Sequence, residues 1–289
     1  MKASIVTIIG RPNVGKSSLM NAIINYDLAI VSNIPQTTRD QISGVYNEPG
    51  YQIVFVDTPG IHKPLNKLGE TLNKNAYDAL SEIDCVLFLS PLNEQIGAGD
   101  RAILEKIQNQ ENKIAIISKI DLAQKPEDVA LKIEELKKCG FDKILSVSTQ
   151  NEKSIKMLIE ELKKYTTEGE PYYSEDNITD KSMRFIAKEI IRVSAMNLLR
   201  EELPHSIAVE VNEFIEEEEK ISINSIIYVK KNSQKGMVIG KNAQKIKQIG
   251  INARKQMMNL FGVNVDLRLK VKVADKWIND AKYLKKFGY

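Results

Sequence analysis

A stretch near the start of the chain has the residue types and spacing of a phosphate-binding loop. It reads Gly10-Arg11-Pro12-Asn13-Val14-Gly15-Lys16-Ser17-Ser18, and its first eight residues fit the pattern G-x-x-x-x-G-K-[ST]. Glycines at these positions let successive backbone N–H groups converge on phosphate oxygens. We expect Lys16 to contact the β- and γ-phosphates of a nucleoside triphosphate, and the Ser17 hydroxyl to ligate Mg²⁺.

This loop needs a strand before it and a helix after it, and the sequence predicts both. Residues 3–9 are mostly apolar and β-branched, as in a buried strand, and residues 18–24 have the composition of a helix start. The helix start adds its partial positive charge beside the phosphates. The alternative is a chance match in a turn that binds nothing, and the flanking elements disfavour it.

A second motif, Asp57-Thr58-Pro59-Gly60, follows the apolar run at residues 53–56 and has the pattern D-x-x-G. The Asp57 carboxylate can hold Mg²⁺ directly or through water, and Gly60 can present its N–H to a γ-phosphate. A second hydroxyl ligand is expected from Thr38 or, failing that, Thr37, with an ordinary polar turn as the alternative. The predicted catalytic residues are Lys16, Thr38 and Gly60, and the predicted metal ligands are Ser17, Thr38 and Asp57.

A third motif, Ser118-Lys119-Ile120-Asp121, accounts for the choice of base. The Asp121 carboxylate can accept from the guanine N1–H and amine, and the stem of Lys119 can pack on the ring. Because an unpaired group in a buried site costs roughly 1–3 kcal/mol, this carboxylate favours GTP over ATP. Ser148-Thr149 follows the last predicted strand, where a backbone N–H can meet guanine O6.

Strands and helices alternate in the first half of the chain. Further apolar runs predict strands at residues 29–32, 85–89, 113–117 and 144–147, with helical patterns such as 100–109 and 126–138 between them. This order predicts an α/β fold with a mostly parallel sheet covered on both faces. Ligands of such folds bind beyond the carboxyl ends of the strands, where each motif falls.

The two halves of the chain differ in charge. Residues 1–180 carry 20 basic and 26 acidic side chains, whereas residues 181–289 carry 21 and 12. A basic module suggests a polyanionic partner, nucleic acid first and an anionic membrane surface second, with a solvated lysine-rich face as the alternative. The only cysteines, Cys85 and Cys139, indicate reduced thiols in a cytosolic protein, and no signal peptide or membrane span is predicted.

The second half begins after a predicted connector at residues 169–180, which contain Gly and Pro without apolar periodicity. Asp180 is predicted to cap a helix over residues 181–201. Two strand-like runs follow, at 206–214 and 221–229, then a glycine loop with lysines, a helix over 251–261 and a strand over 263–273. The C-terminal stretch 277–289 is expected to form a small amphipathic helix that packs on this module or touches RNA.

This order of elements resembles a type II KH domain, in which a G-x-x-G loop clamps a nucleic-acid backbone beside a groove for four unpaired bases. An ordinary helical hairpin with a glycine turn is the alternative. The predicted RNA-binding residues are Ile239, Gly240, Lys241, Asn242, Ala243, Lys245 and Lys247.

The nucleotide motifs, in order and spacing, resemble those of a Ras-like translational GTPase. The phosphate loop and the run Pro35-Gln36-Thr37-Thr38-Arg39-Asp40 resemble in particular the bacterial Era family, which pairs a GTPase domain with a C-terminal KH domain. The resemblance covers nearly the whole chain. It implies a P-loop GTPase domain at residues 1–168, a linker at 169–180 and an α+β type II KH domain at 181–289.

Four residues depart from the patterns that the resemblance implies. Ser118 stands where the family usually has Asn, whose amide contacts guanine and ties the base loop to the phosphate loop, so we expect weaker binding or a looser tie. Thr149 replaces a usual Ala. Ile61 stands where Ras-like proteins place a water-orienting Gln. The Era family is similar in having an apolar residue there, which implies slow hydrolysis without a partner. Ala243 replaces the second glycine of the KH loop and is expected to weaken the clamp.

The function that the resemblance implies is GTP hydrolysis with Mg²⁺, coupled to binding of the 3′ end of 16S ribosomal RNA during 30S assembly. A monomer is expected, in the cytoplasm, with peripheral contact to the inner face of the cell membrane. Two other classes stay open. One is a nucleotide-dependent RNA-binding scaffold with negligible turnover, and the other is a GTPase whose basic domain contacts membrane or protein.

Overall fold

The structure is a computed structural model that describes residues 1–32, 34 and 37–289. Pro35 and Gln36, which belong to the predicted polar turn, lie outside the described residues. Two compact units divide the chain. The first comprises Met1–Val31, Thr38–Leu65 and Gly69–Asp180, and the second comprises Ser32–Thr37, Asn66–Leu68 and Lys181–Tyr289.

The first unit is built on one twisted sheet with helices between its strands. Its strands are β1 (Lys2–Ile9), β2 (Ile42–Glu48), β3 (Tyr51–Asp57), β4 (Cys85–Pro91), β5 (Lys113–Ser118), β6 (Ile144–Ser146) and β7 (Thr167–Glu168). Its helices are α1 (Lys16–Ile24), α2 (Lys67–Asp78), α3 (Ala98–Ile107), α4 (Pro126–Lys138) and α5 (Glu152–Leu162), although α2 starts on residues grouped with the second unit. The strand order is β2-β3-β1-β4-β5-β6, with β7 added to β1.

The four central pairings of this sheet are parallel, and only β2 and β7 run against their neighbours. Strand β4 is buried along its whole length, which explains why its sequence is continuously apolar. The α/β fold with a mostly parallel sheet is therefore confirmed. Because β1, β3 and β5 are parallel, the motifs that follow them meet at one edge of the sheet.

The strand predicted at residues 29–32 is wrong, because this segment is not paired into the sheet. The strand lies later, at Ile42–Glu48, and pairs antiparallel with β3. Its sequence includes Ser43, Gly44 and Asn47, and Gly44 fits there because a Cβ would lie 3.1 Å from Met20 of α1. A strand with these polar and small residues lacks the apolar pattern that identifies the others.

The segment predicted as a connector lies along the open edge of β2. The backbone N–H of Val45 donates to the carbonyl of Ile178 at 2.8 Å, and Gly44 forms an isolated bridge with Thr179. The Gln52 side chain, fully buried, donates to the carbonyl of Tyr173 at 2.8 Å and accepts from its N–H at 3.0 Å. Residues 173–180 thus cover an edge that would otherwise present unpaired backbone groups.

We expect Gln52→Ala to release this segment, because the change leaves the N–H and C=O of Tyr173 without their partner. The free energy of unfolding should fall by about 2 kcal/mol, and amide exchange over residues 172–180 should speed up. Gln110→Ala is the matched control, since Gln110 is partly buried and makes one bond, to the carbonyl of Leu80 at 3.1 Å. Unchanged exchange over 172–180 in the Gln52 variant would contradict the role given to Gln52.

The second unit places helices against one three-stranded sheet. Its elements are α6 (Met183–Leu198), β8 (Ala208–Glu216), β9 (Lys220–Val229), α7 (Asn232–Ile239), α8 (Gln244–Phe261), β10 (Asn264–Val273) and α9 (Ala281–Phe287). The order in the sheet is β10-β9-β8, with β9 parallel to β10 and antiparallel to β8. Helix α8 is longer than predicted, since it starts directly after the glycine loop.

One local prediction in this unit needs correction, and the C-terminal stretch follows the first of its two predicted alternatives. Helix α6 is capped by Ser182, whose hydroxyl accepts from the N–H of Phe185 at 3.3 Å, and not by Asp180, which accepts from the N–H of Ser43. The C-terminal stretch packs on its own unit: Trp277 is fully buried and donates from Nε1 to the carbonyl of Ser206 at 3.0 Å. None of the helices in the described part of the chain is long and apolar enough to span a bilayer.

Candidate functional site: a phosphate loop, a base loop and a glycine loop

The phosphate loop lies between β1 and α1. Its shape requires glycine at two places, one within the loop and one in the segment that packs against it. Gly15 adopts φ 104°, a left-handed conformation that L side chains rarely adopt. Gly60 lies against the loop from the other side, since a Cβ on it would lie 2.6 Å from the Cα of Pro12. The Gly60 backbone therefore touches the phosphate loop directly, and the predicted contact of its N–H with a γ-phosphate stays a prediction.

Lys16 is the buried cation of this loop. Its side chain is 6 % exposed, and Nζ donates to the carbonyls of Arg11 at 3.0 Å and Gly10 at 3.2 Å. Burial lowers the pKa of Lys16 to about 8, although the Asp57 carboxylate acts in the opposite direction. A phosphate dianion at this position would restore the charge of Lys16, so the loop is poised for an anion.

The three predicted metal ligands converge. The Ser17 hydroxyl donates to Oδ2 of Asp57 at 2.6 Å and lies 3.0 Å from Oγ1 of Thr38. Asp57 is fully buried, and within the described residues its Oδ1 has no hydrogen-bond partner. One carboxylate and two hydroxyls fit Mg²⁺, which is usually held by one or two carboxylates together with phosphates and water.

The burial of Asp57 changes the acidity of its carboxyl group. Burial raises the pKa of Asp57 to about 6, although Lys16, the Ser17 hydroxyl and the Thr58 N–H oppose the shift. Thr58 is fully buried and holds the motif in place by donating from Oγ1 to the carbonyl of Ile8 at 2.9 Å. An orphaned, charged oxygen is a good ligand for a cation, because binding supplies the missing partner.

These two pKa shifts predict how nucleotide affinity depends on pH. Mg²⁺ binds the ionised carboxylate, so metal binding expels the Asp57 proton and Mg²⁺-dependent affinity should fall below about pH 6. Phosphate binds protonated Lys16, so affinity should also fall above about pH 8. Equilibrium titration of GDP with Mg²⁺ between pH 5 and 9 checks this window. Asp57→Asn is the control for the titration of the nucleotide itself, and an identical acid limb in that variant would contradict the assignment.

Arg11 has a role that the sequence motif did not reveal. Its guanidinium donates from Nε to Asp100 at 2.9 Å and from Nη2 to Glu94 at 2.7 Å. Asp100 is fully buried and also accepts from the N–H of Gly97, at the start of α3. The phosphate loop is thereby fixed to the segment after β4. The sequence pattern placed Asp100 at the beginning of the helical segment 100–109 and did not predict its bond to Arg11.

The base loop after β5 is tied to the phosphate loop twice. Ser118 donates from Oγ to the carbonyl of Val14 at 2.7 Å, and Lys119 donates from Nζ to the carbonyl of Asn13 at 2.9 Å. The shorter side chain of Ser118 therefore still reaches the phosphate loop, and the weaker binding or looser tie expected from it stays a prediction. Ser148 donates to Oδ1 of Asp121 at 3.2 Å and so orients the carboxylate predicted to select guanine.

Ser18 and Thr149 line the same cavity at this edge of the sheet. Both line a cavity of about 400 Å³ beside α1, with Asn21, Tyr26 and Val31 among its other residues. Thr149 is exposed, whereas Ser148 is buried. The predicted residues on both sides of a nucleotide are thus brought to one edge of the sheet.

The residue after the D-x-x-G motif points away from the phosphate loop. Ile61 is 3 % exposed and packs in the core with Ile9, Ala76 and Phe88. Its backbone N–H still donates to the carbonyl of Gly10 at 3.3 Å. An apolar side chain held in the core cannot orient an attacking water, so water must be positioned by other groups.

The glycine loop of the second unit lies between α7 and α8. Gly240 has φ 74°, and a Cβ on it would lie 2.7 Å from the Cβ of Lys245, so only glycine fits. Asn242 and Ala243 also have positive φ, 50° and 58°. Ala243 therefore adopts the left-handed conformation of the expected glycine at a cost of about 1 kcal/mol.

The loop borders a groove of about 570 Å³ whose walls carry lysines. It is lined by Gly240, Lys241, Gln244, Lys245, Lys247, Gln248 and Ile251. Lys241, Asn242, Ala243 and Lys247 are exposed, whereas Ile239 and Lys245 are partly buried. Exposed cations beside a glycine loop suit a polyanion.

Comparison with known proteins shows the same two parts. A family described as a 50S ribosome-binding GTPase matches residues 5–120, and a KH domain family matches residues 202–278. The chain is 67 % identical to GTPase Era of Mycoplasmopsis agalactiae over 289 residues, covering all of both chains. It is 55 % identical to GTPase Era of Mycoplasmopsis pulmonis, with 99 % of each chain covered.

Two solved structures of Era match this chain over its whole length. A crystal structure of Era in complex with MgGDPNP and nucleotides 1506–1542 of 16S ribosomal RNA matches with a TM-score of 0.94 at 36 % identity. An Aquifex aeolicus Era variant bound to GDP and AlF4⁻ matches with a TM-score of 0.93, also at 36 % identity. In both cases the match covers 100 % of this chain and 99 % of the other.

Proposed function

This chain belongs to the Era family of GTPases, and we propose that it couples the state of a bound guanine nucleotide to binding of the 3′ end of 16S ribosomal RNA during small-subunit assembly. The observation that carries the proposal is the convergence of Ser17, Thr38 and the orphaned Asp57 oxygen beside buried Lys16. A related Era holds MgGDPNP and this RNA together, which supports the same pairing here.

The chain's own residues account for most of the chemistry. Lys16 and the backbone N–H groups of the phosphate loop stabilise negative charge that develops on the phosphates. Gly60, pressed against Pro12, can direct its N–H towards the same charge. When bound, Mg²⁺ neutralises the phosphate oxygens, and Ser17, Thr38 and Asp57 would hold it. Thr38 and Gly60 lie in loops that a γ-phosphate can order and hydrolysis can release.

The residues that follow β5 and β6 are proposed to select the base. Asp121, oriented by Ser148, accepts from the donors of guanine, and the stem of Lys119 can pack on the ring. The N–H of Thr149 is the proposed partner of O6. ATP lacks the donors that Asp121 requires, so GTP is the proposed substrate.

RNA is the proposed ligand of the glycine loop. Gly240 to Ala243 would clamp the backbone, Lys241, Lys245 and Lys247 would contact phosphates, and Ile239 would line the adjacent groove. The basic balance of residues 181–289 supports a polyanionic partner. We also propose a monomer in the cytoplasm, and the same basic balance suits peripheral contact with the inner face of the cell membrane as a secondary interaction.

One observation favours a second function. Because Ile61 is buried in the core, this protein lacks a water-orienting side chain at that position and could act as a nucleotide-dependent scaffold. Phosphate release in a single turnover, with and without an RNA of the 16S 3′ end, separates the two functions. Release with GTP and Mg²⁺ that RNA accelerates, and that excess ATP does not suppress, supports the GTPase. Absence of release under all conditions would leave only the scaffold.

A further inference from the structure

Helix α6 carries a buried ion pair. Both Arg192 and Glu189 are buried, and Nε of the arginine donates to Oε1 of the glutamate at 3.0 Å. Nη2 donates to the other carboxylate oxygen, so the pair is bidentate. Because desolvation offsets much of the attraction within a buried pair, such a pair adds little to stability by itself. A function for this pair is therefore to be found in its other contacts.

The same guanidinium holds the backbone of a segment distant in sequence. Nη2 of Arg192 donates to the carbonyl of Thr37, which is buried and belongs to the same compact unit as α6. The Thr37 hydroxyl in turn donates to the carbonyl of Ile34 at 2.6 Å. At the start of the segment, the Ser32 hydroxyl donates to Oδ1 of Asn197, also on α6, at 2.7 Å. Helix α6 therefore bonds to both ends of this segment.

The peptide group that Arg192 holds is the one that leads to Thr38. The carbonyl of Thr37 and the N–H of Thr38 belong to one planar group, so a bond to the carbonyl restricts the orientation of Thr38. The Thr38 hydroxyl lies 3.0 Å from that of Ser17, which donates to Asp57. We propose that Arg192 is a positioning residue of the nucleotide site, which holds Thr38 ready to ligate Mg²⁺ through the carbonyl of Thr37. This inference rests on the proposed GTP site.

The position of α6 also gives this contact a link to the RNA-binding loop. Helix α6 packs against α8, which begins directly after the glycine loop, and both helices belong to the second unit. Residues 189–196 of α6 are all buried, so this part of the helix cannot shift without moving its neighbours. RNA bound at the glycine loop thus reaches Thr37 through two packed helices and the side chain of Arg192.

The test compares a triphosphate with a diphosphate on the full-length protein. Arg192→Lys keeps a cation for Glu189 but lacks the planar fork that holds the carboxylate and the Thr37 carbonyl together. Because Thr38 is the proposed ligand when a γ-phosphate is present, GDPNP with Mg²⁺ should bind about tenfold more weakly to this variant. GDP with Mg²⁺ should bind within about twofold of the unsubstituted protein. Competition against a fluorescent GDP analogue measures both affinities.

A second variant removes the donor altogether. Glu189→Met with Arg192→Met replaces both charges by unbranched apolar side chains, so neither is left buried without the other, and the same selective loss of GDPNP affinity is expected. Arg184→Met is the matched control and should leave both affinities unchanged. Arg184 is exposed on the same helix and donates to the backbone carbonyls of Val211 and Asn212.

The double Met variant decides the outcome. If it melts cooperatively and binds GDPNP as tightly as the unsubstituted protein, the proposal is overturned. An equal loss of GDP and GDPNP affinity would overturn it as well, since Arg192 would then support the fold and not Thr38. Addition of Thr38→Ala to the double variant should weaken GDPNP binding no further, because both changes act on one ligand. Failure of the unsubstituted protein to bind either nucleotide would instead remove the GTP site itself.

The link to RNA has its own measurement. Where an RNA of the 16S 3′ end tightens GDPNP binding by the unsubstituted protein, the factor should fall below about twofold in the double Met variant. RNA affinity without nucleotide should not change, since the lysines of the glycine loop are untouched. An RNA effect that persists in full in the double Met variant would show that the coupling does not pass through Arg192.

Discussion

Replacement of Lys16 by alanine is expected to slow GTP hydrolysis by about 1,000-fold or more, the largest effect of any single change in this chain. Lys16 is 6 % exposed and its ammonium group bonds to the carbonyls of Gly10 and Arg11, so we expect phosphate oxygens to replace these carbonyls as its partners. Because Lys16 is buried, its charge interacts more strongly with nearby groups than it would in bulk water. Single-turnover phosphate release at saturating GTP measures the effect.

Two controls separate this loss from unfolding. Lys138→Ala removes an exposed ammonium at the end of α4 and should leave hydrolysis unchanged. Circular dichroism of the nucleotide-free Lys16 variant should show a folded protein that melts cooperatively. A Lys16→Ala protein that is folded and hydrolyses GTP at the normal rate would show that the phosphate loop is not the catalytic site.

Reversal of charge at Lys241 and Lys247 is expected to weaken binding of a 16S 3′-end RNA by about 100-fold at moderate salt. Both side chains are exposed beside the Gly240 loop and line the same groove. Each lysine that contacts a phosphate releases a counterion, so the slope of log affinity against log salt should fall by roughly 1.4 for two contacts on a single strand. Filter binding or anisotropy over a range of salt concentrations measures both quantities.

Lys153→Glu with Lys156→Glu is the matched control. It changes the net charge equally, on the exposed side of α5 in the first unit, and should alter RNA affinity by less than about threefold because of screening. Equal losses in the two double variants would indicate nonspecific attraction. Retention of RNA binding with loss of vesicle binding in the Lys241 and Lys247 variant would favour a membrane surface as the partner of this loop.

The parts of the fold that the sequence predicted are those with a strong local signal. Strands β1, β3, β4 and β5 are continuous apolar runs because they are buried on both faces, and each phosphate or base motif follows such a run. β2 was missed because Ser43, Gly44 and Asn47 interrupt its pattern at the edge of the sheet. Its position depends on pairing with β3 and with residues 178–179, which are distant in sequence.

The convergence of the site could be predicted, but its bonds could not. Parallel strands bring Ser17 and Asp57 to one edge, so the metal ligands follow from topology. The tie from Ser118 to Val14 depends on loop geometry that joins residues 104 positions apart. The anchor from Arg11 to Asp100 joins residues 89 positions apart, with no local pattern to link them.

We propose that binding of guanine nucleotide and binding of RNA are coupled, and an equilibrium titration measures this coupling. The affinity for a non-hydrolysable GTP analogue with Mg²⁺ is measured with and without a saturating RNA of the 16S 3′ end. We expect at least fivefold tighter nucleotide binding with RNA and, by reciprocity, the same factor for RNA binding with nucleotide. Equal affinities in both titrations would contradict it, since the two sites would then act independently.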